Sequence, residues 1–356
     1  MDEEPDAEAV AERVLAAALG MMDVVSIYLG DRLGWYRSLM DEGPATPTEL
    51  ATRTGTSERY AREWLQQQAA TGLLATHIVG EMTRFRLPPG AAEVFTNVNS
   101  LNYLSPLARM LAGAAVQLPA LQDAYKAGTG VGWEDFGKDV REAQADMNRP
   151  WFEQELGKAL SQVPALVARL QEPGVEIADI GSGGGWSTIA LAEVFPTAKV
   201  TGFDIDSASV ELARMNATNA GSAIEFKHLD AAGLPVETFD AVFAFECLHD
   251  MPYPQDVLSG VRRSLKQGGT AVIIDEAVAE TFDPPGTEVE RLMYGFSLLI
   301  CLPDGMSHLD SAATGTVMRP DTLRRYASAA GFTEFSILPI QNFGFFRFYE
   351  LAPSSQ

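Results

Sequence analysis

Cysteine is scarce in this chain. Only Cys247 and Cys301 occur, each in an apolar context, which excludes a disulfide framework and argues against a metal cluster. Positive charge is also scarce. Twenty-six Lys and Arg face 48 Asp and Glu, for a net charge of -22, which repels nucleic acid and anionic membranes over long range. Lysine is missing altogether before Lys126. No unbroken apolar run reaches the length needed to span a bilayer, and the acidic start Met1-Asp2-Glu3-Glu4 is the opposite of a signal peptide. These absences lead us to expect a cytoplasmic protein with no metal and with neither nucleic acid nor membrane as a partner.

What is present is a globular composition, 46% hydrophobic over 356 residues. That length exceeds one compact core and predicts two domains, which we place at 1–148 and 149–356. The most informative stretch runs from Val175 to Ala192. A short apolar run reaches Asp179, breaks at Gly181, Ser182, Gly183, Gly184 and Gly185, and resumes at Trp186 with helical period. Strand, tight turn and helix N-terminus bring free backbone N–H groups up to a ligand. The dinucleotide fingerprint would need glycine where Trp186 stands. A phosphate loop would need a lysine in the turn, and there is none.

The remaining pattern, acid-x-Gly-x-Gly-x-Gly at Asp179, Gly181, Gly183 and Gly185, resembles motif I of the class I S-adenosylmethionine (SAM) dependent methyltransferases. Further acids end successive strands. Lys199 to Asp204 closes on an acid suited to accept ribose hydroxyls. Ile224 to Ala231 places Asp230 where the resembled family receives the adenine amino group. Phe239 to Glu246 reads as a doubly covered parallel strand, and Thr270 to Glu276 as a fifth strand. A capped helix opens at Arg319-Pro320, and Phe335 to Ile340 with Phe345 to Leu351 form a closing hairpin. The resemblance spans roughly 150–353. It implies an α/β fold, a Rossmann-like sheet with a closing antiparallel hairpin, preceded by a mostly helical winged-helix domain. It also implies a cofactor site at Asp179, Gly181, Ser182, Gly183, Gly185, Asp204, Ile205, Asp230, Ala231, Phe245 and Glu246. SAM would leave as S-adenosylhomocysteine.

In the first 150 residues, Ala7 to Leu29 is an alanine-rich helix. Thr48 to Ser57 reads as helix, glycine turn and cap, Glu58 to Ala70 as a second helix, and Leu73 to Leu87, broken by Gly80, as a wing. This helix-turn-helix pattern invites a DNA-binding reading. Residues 1–90, however, hold fourteen acids against eight arginines, and only Arg59 and Arg62 mark the would-be recognition helix, far from a DNA reader's basic footprint. Plant and bacterial small-molecule O-methyltransferases resemble the chain here too. Their winged-helix domain dimerises, and its helices wall the partner's active site, which implies a homodimer with Ser100 to Tyr125 apolar enough to serve. Lys126 to Trp133 reads as a flexible connection, and Pro150-Trp151 as the start of a helix.

Cys247-Leu248-His249-Asp250-Met251 resembles the His-Asp-Trp signature of those enzymes, with Met251 in the tryptophan's place. The resemblance implies that His249 is the general base, a role an imidazole can fill towards a phenol, and that Glu276 orients it. The alternative for His249 is a helix-start histidine contacting the cofactor. His77 and His228 read as structural, whereas His308, in an irregular segment, is a second candidate. Trp151, Phe152, Met293, Tyr294 and Phe296 are expected to wall a pocket for a flat, apolar acceptor. Methylation at O, N or C stays open. Two other readings share the fold: a non-methylating SAM reaction such as hydroxylation, decarboxylation or cyclisation, and a SAM-sensing DNA-binding regulator.

Overall fold

The computed structural model describes residues 5–353 and divides into two compact units, 1–112 and 113–356. In the first unit, helix Ala7–Arg32 is followed by helices Trp35–Asp41, Pro47–Thr54 and Glu58–Ala70 and by strands β1 (Ala75–Val79) and β2 (Met82–Arg86). Thr46 and Glu49 form a reciprocal capping box at the third of these helices, and Gly55 ends it in the left-handed region. β1 and β2 pair antiparallel as a wing. Trp35, Tyr36, Leu39, Leu50, Trp64, Leu65, Phe85 and Phe95 fill the core between wing and helices. This is the helix, turn, helix and wing that the sequence spacing predicts.

Helix Ala7–Arg32 requires a correction. A mean hydropathy of 1.5 over an 18-residue window makes this 26-residue helix, by length and composition alone, apolar enough to cross a membrane. Arg13, Asp23 and Asp31 interrupt any unbroken apolar run, while alanine, leucine, valine and methionine keep the average high. Its second half is tied into the first unit. The Trp64 indole N–H donates to the Ser26 carbonyl at 2.8 Å, and the Gln67 amide to Asp23 at 3.1 Å. A Cβ at Gly30 would collide with the rings of Trp64 and Tyr36, so this helix and Glu58–Ala70 approach as closely as glycine permits.

The second unit carries a seven-stranded sheet. Its strands are β3 (Glu176–Ile180), β4 (Lys199–Asp204), β5 (Glu225–His228), β6 (Phe239–Phe245), β7 (Leu265–Glu276), β8 (Glu334–Ile337) and β9 (Phe346–Ala352). The order is β5-β4-β3-β6-β7-β9-β8. β3 to β7 are parallel, and β9 runs antiparallel between β7 and β8. Alternation along the strands creates two cores. Ile177, Phe243, Phe245, Val272 and Ile274 face one, under helices Trp133–Ser161, Trp186–Val194 and Ser207–Asn219. Ala178, Ile180, Val242, Ala244, Ala271 and Ile273 face the other, under Pro254–Ser264 and Pro320–Ala329. The chain leaves β3 towards β4 and β5, then crosses back to β6. The carboxyl ends of β3 and β6 therefore flank the switch point where such sheets bind ligands.

The boundary expected at 148/149 falls inside helix Trp133–Ser161, whereas the compact units divide at Ala112/Gly113. Packing explains the shift: Ala145 belongs to the sheet's core, and Arg141 pairs with Asp206 at 2.8 Å. Pro150 accordingly sits within that helix and does not open it; the kink lies at Gly137. The 126–133 connection is pinned as well. The Val131 amide donates to the Pro303 carbonyl at 3.0 Å and the Trp133 amide to Asp304 at 2.8 Å.

Candidate active site

The turn after β3 is built on glycines in the left-handed region. Gly181, Gly183 and Gly185 have φ of 61°, 50° and 82°, where other L residues are strained. Each meets a different constraint. A Cβ on Gly181 would stand 2.7 Å from Cys247, and one on Gly185 would stand 2.8 Å from Ala213. At Gly183 nothing lies within 4 Å. The first and third glycines are thus closed by protein, and the middle one faces open space.

Two carboxylates frame this turn. Asp179 is fully buried and accepts from the Ser187 and Thr188 hydroxyls at 2.6 Å each, tying β3 to the first turn of helix Trp186–Val194. Burial pushes its pKa up to about 7. Asp204, at the end of β4, accepts from the Gly183 amide at 2.7 Å and the Asp206 amide at 2.8 Å. Burial raises its pKa as well. A carboxylate has about four lone-pair sites, so Asp204 keeps acceptor capacity. The buried Ser182 hydroxyl has no hydrogen-bond partner among the described residues. Ile205 is 66% exposed beside Asp204, Asp230 accepts from the Ala232 amide at 2.8 Å, and Ala231 is buried.

At the end of β6, Phe245 packs edge-to-face on Phe152. Glu246 then turns into the left-handed region at φ 50°, a conformation that costs a non-glycine residue about 1–3 kcal/mol. Its carboxylate accepts from the Asn148 amide at 3.1 Å and from Gln144 at 3.4 Å. Burial pushes its pKa up to about 7.

His249 follows on the next turn, only 2% exposed. Nδ1 donates to Asp275 Oδ1 at 2.9 Å and has Glu276 Oε2 at 3.3 Å, while Nε2 lies 3.1 Å from Asp250 Oδ1. Burial alone would lower the imidazolium pKa, but Asp250, Asp275 and Glu276 outweigh it and hold the ring well above its ordinary value. Burial raises Glu276, whereas Asp275, equally buried, is held low by the ring and its hydrogen bonds. Asp275 is the nearer of the two carboxylates to His249 Nδ1, at 2.9 Å against 3.3 Å. Glu276 is the acid the resemblance implies; Asp275 emerges only from the fold, because a strand's alternation gives no sign that two consecutive acids at its end reach one ring.

Among the expected pocket walls, Phe152 and Met293 are buried, Trp151 lies edge-on to Phe343 at 6.1 Å, and Tyr294 is 39% exposed. Phe296 is half-buried. His308 is exposed, 3.0 Å from the Ser307 hydroxyl and beside the Tyr253 ring. Gln144 and Asn148 were not legible in advance, since only the fold brings that helix to Glu246.

Known proteins resemble this chain in sequence and in fold. A model described as a methyltransferase domain matches residues 171–303, and one described as an Rv2258c-like winged HTH domain matches 17–97. The ubiquinone biosynthesis O-methyltransferase of Nitrosococcus oceani is 34% identical over 99 residues, 27% of this chain and 41% of that protein. Its counterpart in Pseudomonas aeruginosa is 30% identical over 139 residues, 37% of this chain and 59% of that protein. The chain thus spans about two fifths to three fifths of these relatives. Human N-acetylserotonin methyltransferase, solved with SAM, shares the fold at TM-score 0.68 and 21% identity, covering 99% of this chain and 100% of that one. The mitomycin 7-O-methyltransferase MmcR does so at 0.70 and 20%, covering 98% and 99%. The chain is thus similar over residues 17–97 to a winged helix-turn-helix domain and over residues 171–303 to a methyltransferase domain, and it shares the fold of these solved methyltransferases.

Proposed function

We propose that this protein transfers the methyl group of SAM to an oxygen of a small, flat, largely apolar acceptor, with His249 as general base. The observation that carries this reading is the His249 Nδ1 to Asp275 Oδ1 hydrogen bond of 2.9 Å, on the turn whose Cys247 touches the glycine turn at Gly181. The residues present suit the cofactor. Open space at Gly183, the unpartnered Ser182 hydroxyl and the spare acceptor capacity of Asp204 are what an amino-acid end and a ribose need. Asp230 and Ala231 would flank the adenine, and Glu246 the cationic end.

Bound SAM supplies a methyl made electrophilic by its sulfonium. Asp275 would fix the tautomer and orientation of the ring, leaving Nε2 to take the acceptor's hydroxyl proton. A cation seated near the ring lowers its raised pKa again. Alignment of donor and acceptor supplies most of the rate, and the base a smaller share. Trp151, Tyr294 and Phe296, all partly exposed, are the walls left to the acceptor.

The first unit serves as a dimerisation domain in this reading. Val14, Leu15, Leu19 and Met22 leave helix Ala7–Arg32 more than half exposed, and a second copy would cover them. A DNA-binding regulator fits less well, because Arg59 and Arg62 are each spent on an intrahelical ion pair, with Glu63 and Glu58. Two reduced cysteines and the acid excess suit the cytoplasm. The test is a screen of phenols and amines with methyl-labelled SAM. Label in a methylated phenol supports the reading. Label only in amines would move the reaction to nitrogen, and acceptor turnover without label would point to a non-methylating reaction.

A further inference from the structure

We propose that Arg319 is a positioning residue for the acceptor: its guanidinium clasps the segment after β7 to helix Glu288–Phe296 and so sets the pocket wall beside His249. The inference rests on the acceptor reading above. Arg319 is the N-cap residue of helix Pro320–Ala329, yet its side chain is spent on other elements. Nη1 donates to the carbonyls of Ala279 at 2.5 Å and Thr281 at 3.0 Å. Nη2 reaches Glu290 Oε1 at 3.1 Å and the Tyr294 hydroxyl at 3.4 Å. Glu290 and Tyr294 stand one helical turn apart, on one face. Gripping two backbone carbonyls and two side chains at once takes the planar fork that arginine has and lysine lacks.

The clasped pieces lead to the reacting ring. Residues 279–285 are exposed, and Arg347 on β9 holds the carbonyl just before them, that of Val278, at 3.2 Å. Two arginines thus fix three carbonyls of a segment that leaves Glu276, whose Oε2 is 3.3 Å from His249 Nδ1. Helix Glu288–Phe296 carries Tyr294 and Phe296 and continues through the π-helical segment Ser297–Cys301. π-helical turns are rare and concentrate at functional positions, and this one brings Cys301 Sγ within 4.8 Å of a His249 ring nitrogen. A Cβ on Gly315, at φ 71°, would stand 2.5 Å from Ser297 Oγ, so the chain leading to Arg319 lies directly against the same segment. Arg319 and Glu290 are 16% and 5% exposed, which shields their pair from water and salt.

The experiment measures steady-state kinetics of the full chain with whichever screened phenol or amine the wild type methylates. Arg319→Lys keeps the charge opposite Glu290 but loses the fork. A wall binds acceptor and transition state alike, so the acceptor KM should rise roughly fivefold or more, with kcat and SAM affinity within about twofold of wild type. Hydrogen exchange of amides 288–302 should quicken roughly tenfold, with β3 and β6 unchanged. Arg325→Lys, whose guanidinium bonds Thr322 in its own helix at 3.0 Å, should leave all of these as they are. If Arg319→Lys does not fold, Arg319→Gln combined with Glu290→Gln removes both buried charges together and should show the same split. An unchanged KM, or SAM affinity falling in step with the rise in KM, would overturn the role of Arg319. A wild type that methylates no phenol or amine would overturn the acceptor reading and the clasp with it, and that failure shows before any variant is made.

Discussion

His249 and Asp275 form a buried ion pair, Nδ1 to Oδ1 at 2.9 Å, with both side chains at most 2% exposed. Asp275 Oδ1 also accepts from the Glu276 amide at 3.1 Å, so the carboxylate is fixed before it fixes the ring. Replacing Asp275 with Asn keeps the shape but removes the charge and permits the wrong tautomer. Turnover should fall by roughly 10²-fold, within the range for a disabled acid–base group, with SAM affinity unchanged by calorimetry. Glu276→Gln should lose less. The opposite ranking would return the orienting role to Glu276.

The rate should depend on pH in one direction. His249 is held above its ordinary pKa, and only its neutral form accepts a proton, so kcat/KM should rise through an apparent pKa higher than that of free histidine. Stability should move oppositely. A pKa raised in the folded state contributes stability below the unfolded value that is lost as pH rises through the folded one. A pH series of Tm for wild type and His249→Gln should show this loss in the wild type alone.

At the glycine turn, Gly181→Ala and Gly183→Ala should separate two functions. Both force alanine into a positive φ, at about 1–2 kcal/mol, but only at Gly181 does a Cβ meet Cys247 at 2.7 Å. Gly181→Ala should therefore show the larger drop in Tm, and Gly183→Ala the larger loss of SAM affinity. Asp204→Ala, which also strands the Gly183 amide, should weaken SAM by about 1–3 kcal/mol. Unchanged affinity in a folded Asp204→Ala would remove that residue from the site.

How much of this was legible in sequence varies by element. The parallel strands were, because each is an apolar run closing on an acid, and Asp179, Asp204 and Glu246 fall where such runs end. The wing was as well, through its glycine turn. What pattern could not give was convergence across the fold: Gln144 and Asn148 on Glu246, and Asp250, Asp275 and Cys301 on one imidazole. Their sequence neighbours look ordinary, and only the sheet order and the π-helical turn bring them together. The packing of helix Trp133–Ser161 was hidden for the same reason, since its Ala145 joins the core of a sheet whose first strand, β3, comes only after that helix.

Light scattering tests assembly. The wild type should be a dimer at micromolar concentration, and Leu19→Glu, on the exposed face of helix Ala7–Arg32, should weaken it at least tenfold by burying an unpaired charge. A monomeric wild type, or a dimer indifferent to this change, would contradict the dimerisation role.

The most direct measurement pairs SAM calorimetry with single-turnover methyl transfer in His249→Gln, using a phenol of high pKa so that the acceptor does not ionise unaided. SAM affinity should stay close to wild type and the methyl-transfer rate should fall by roughly 10²–10⁴-fold. Transfer at the wild-type rate would show that positioning alone carries the reaction and that His249 is not its base.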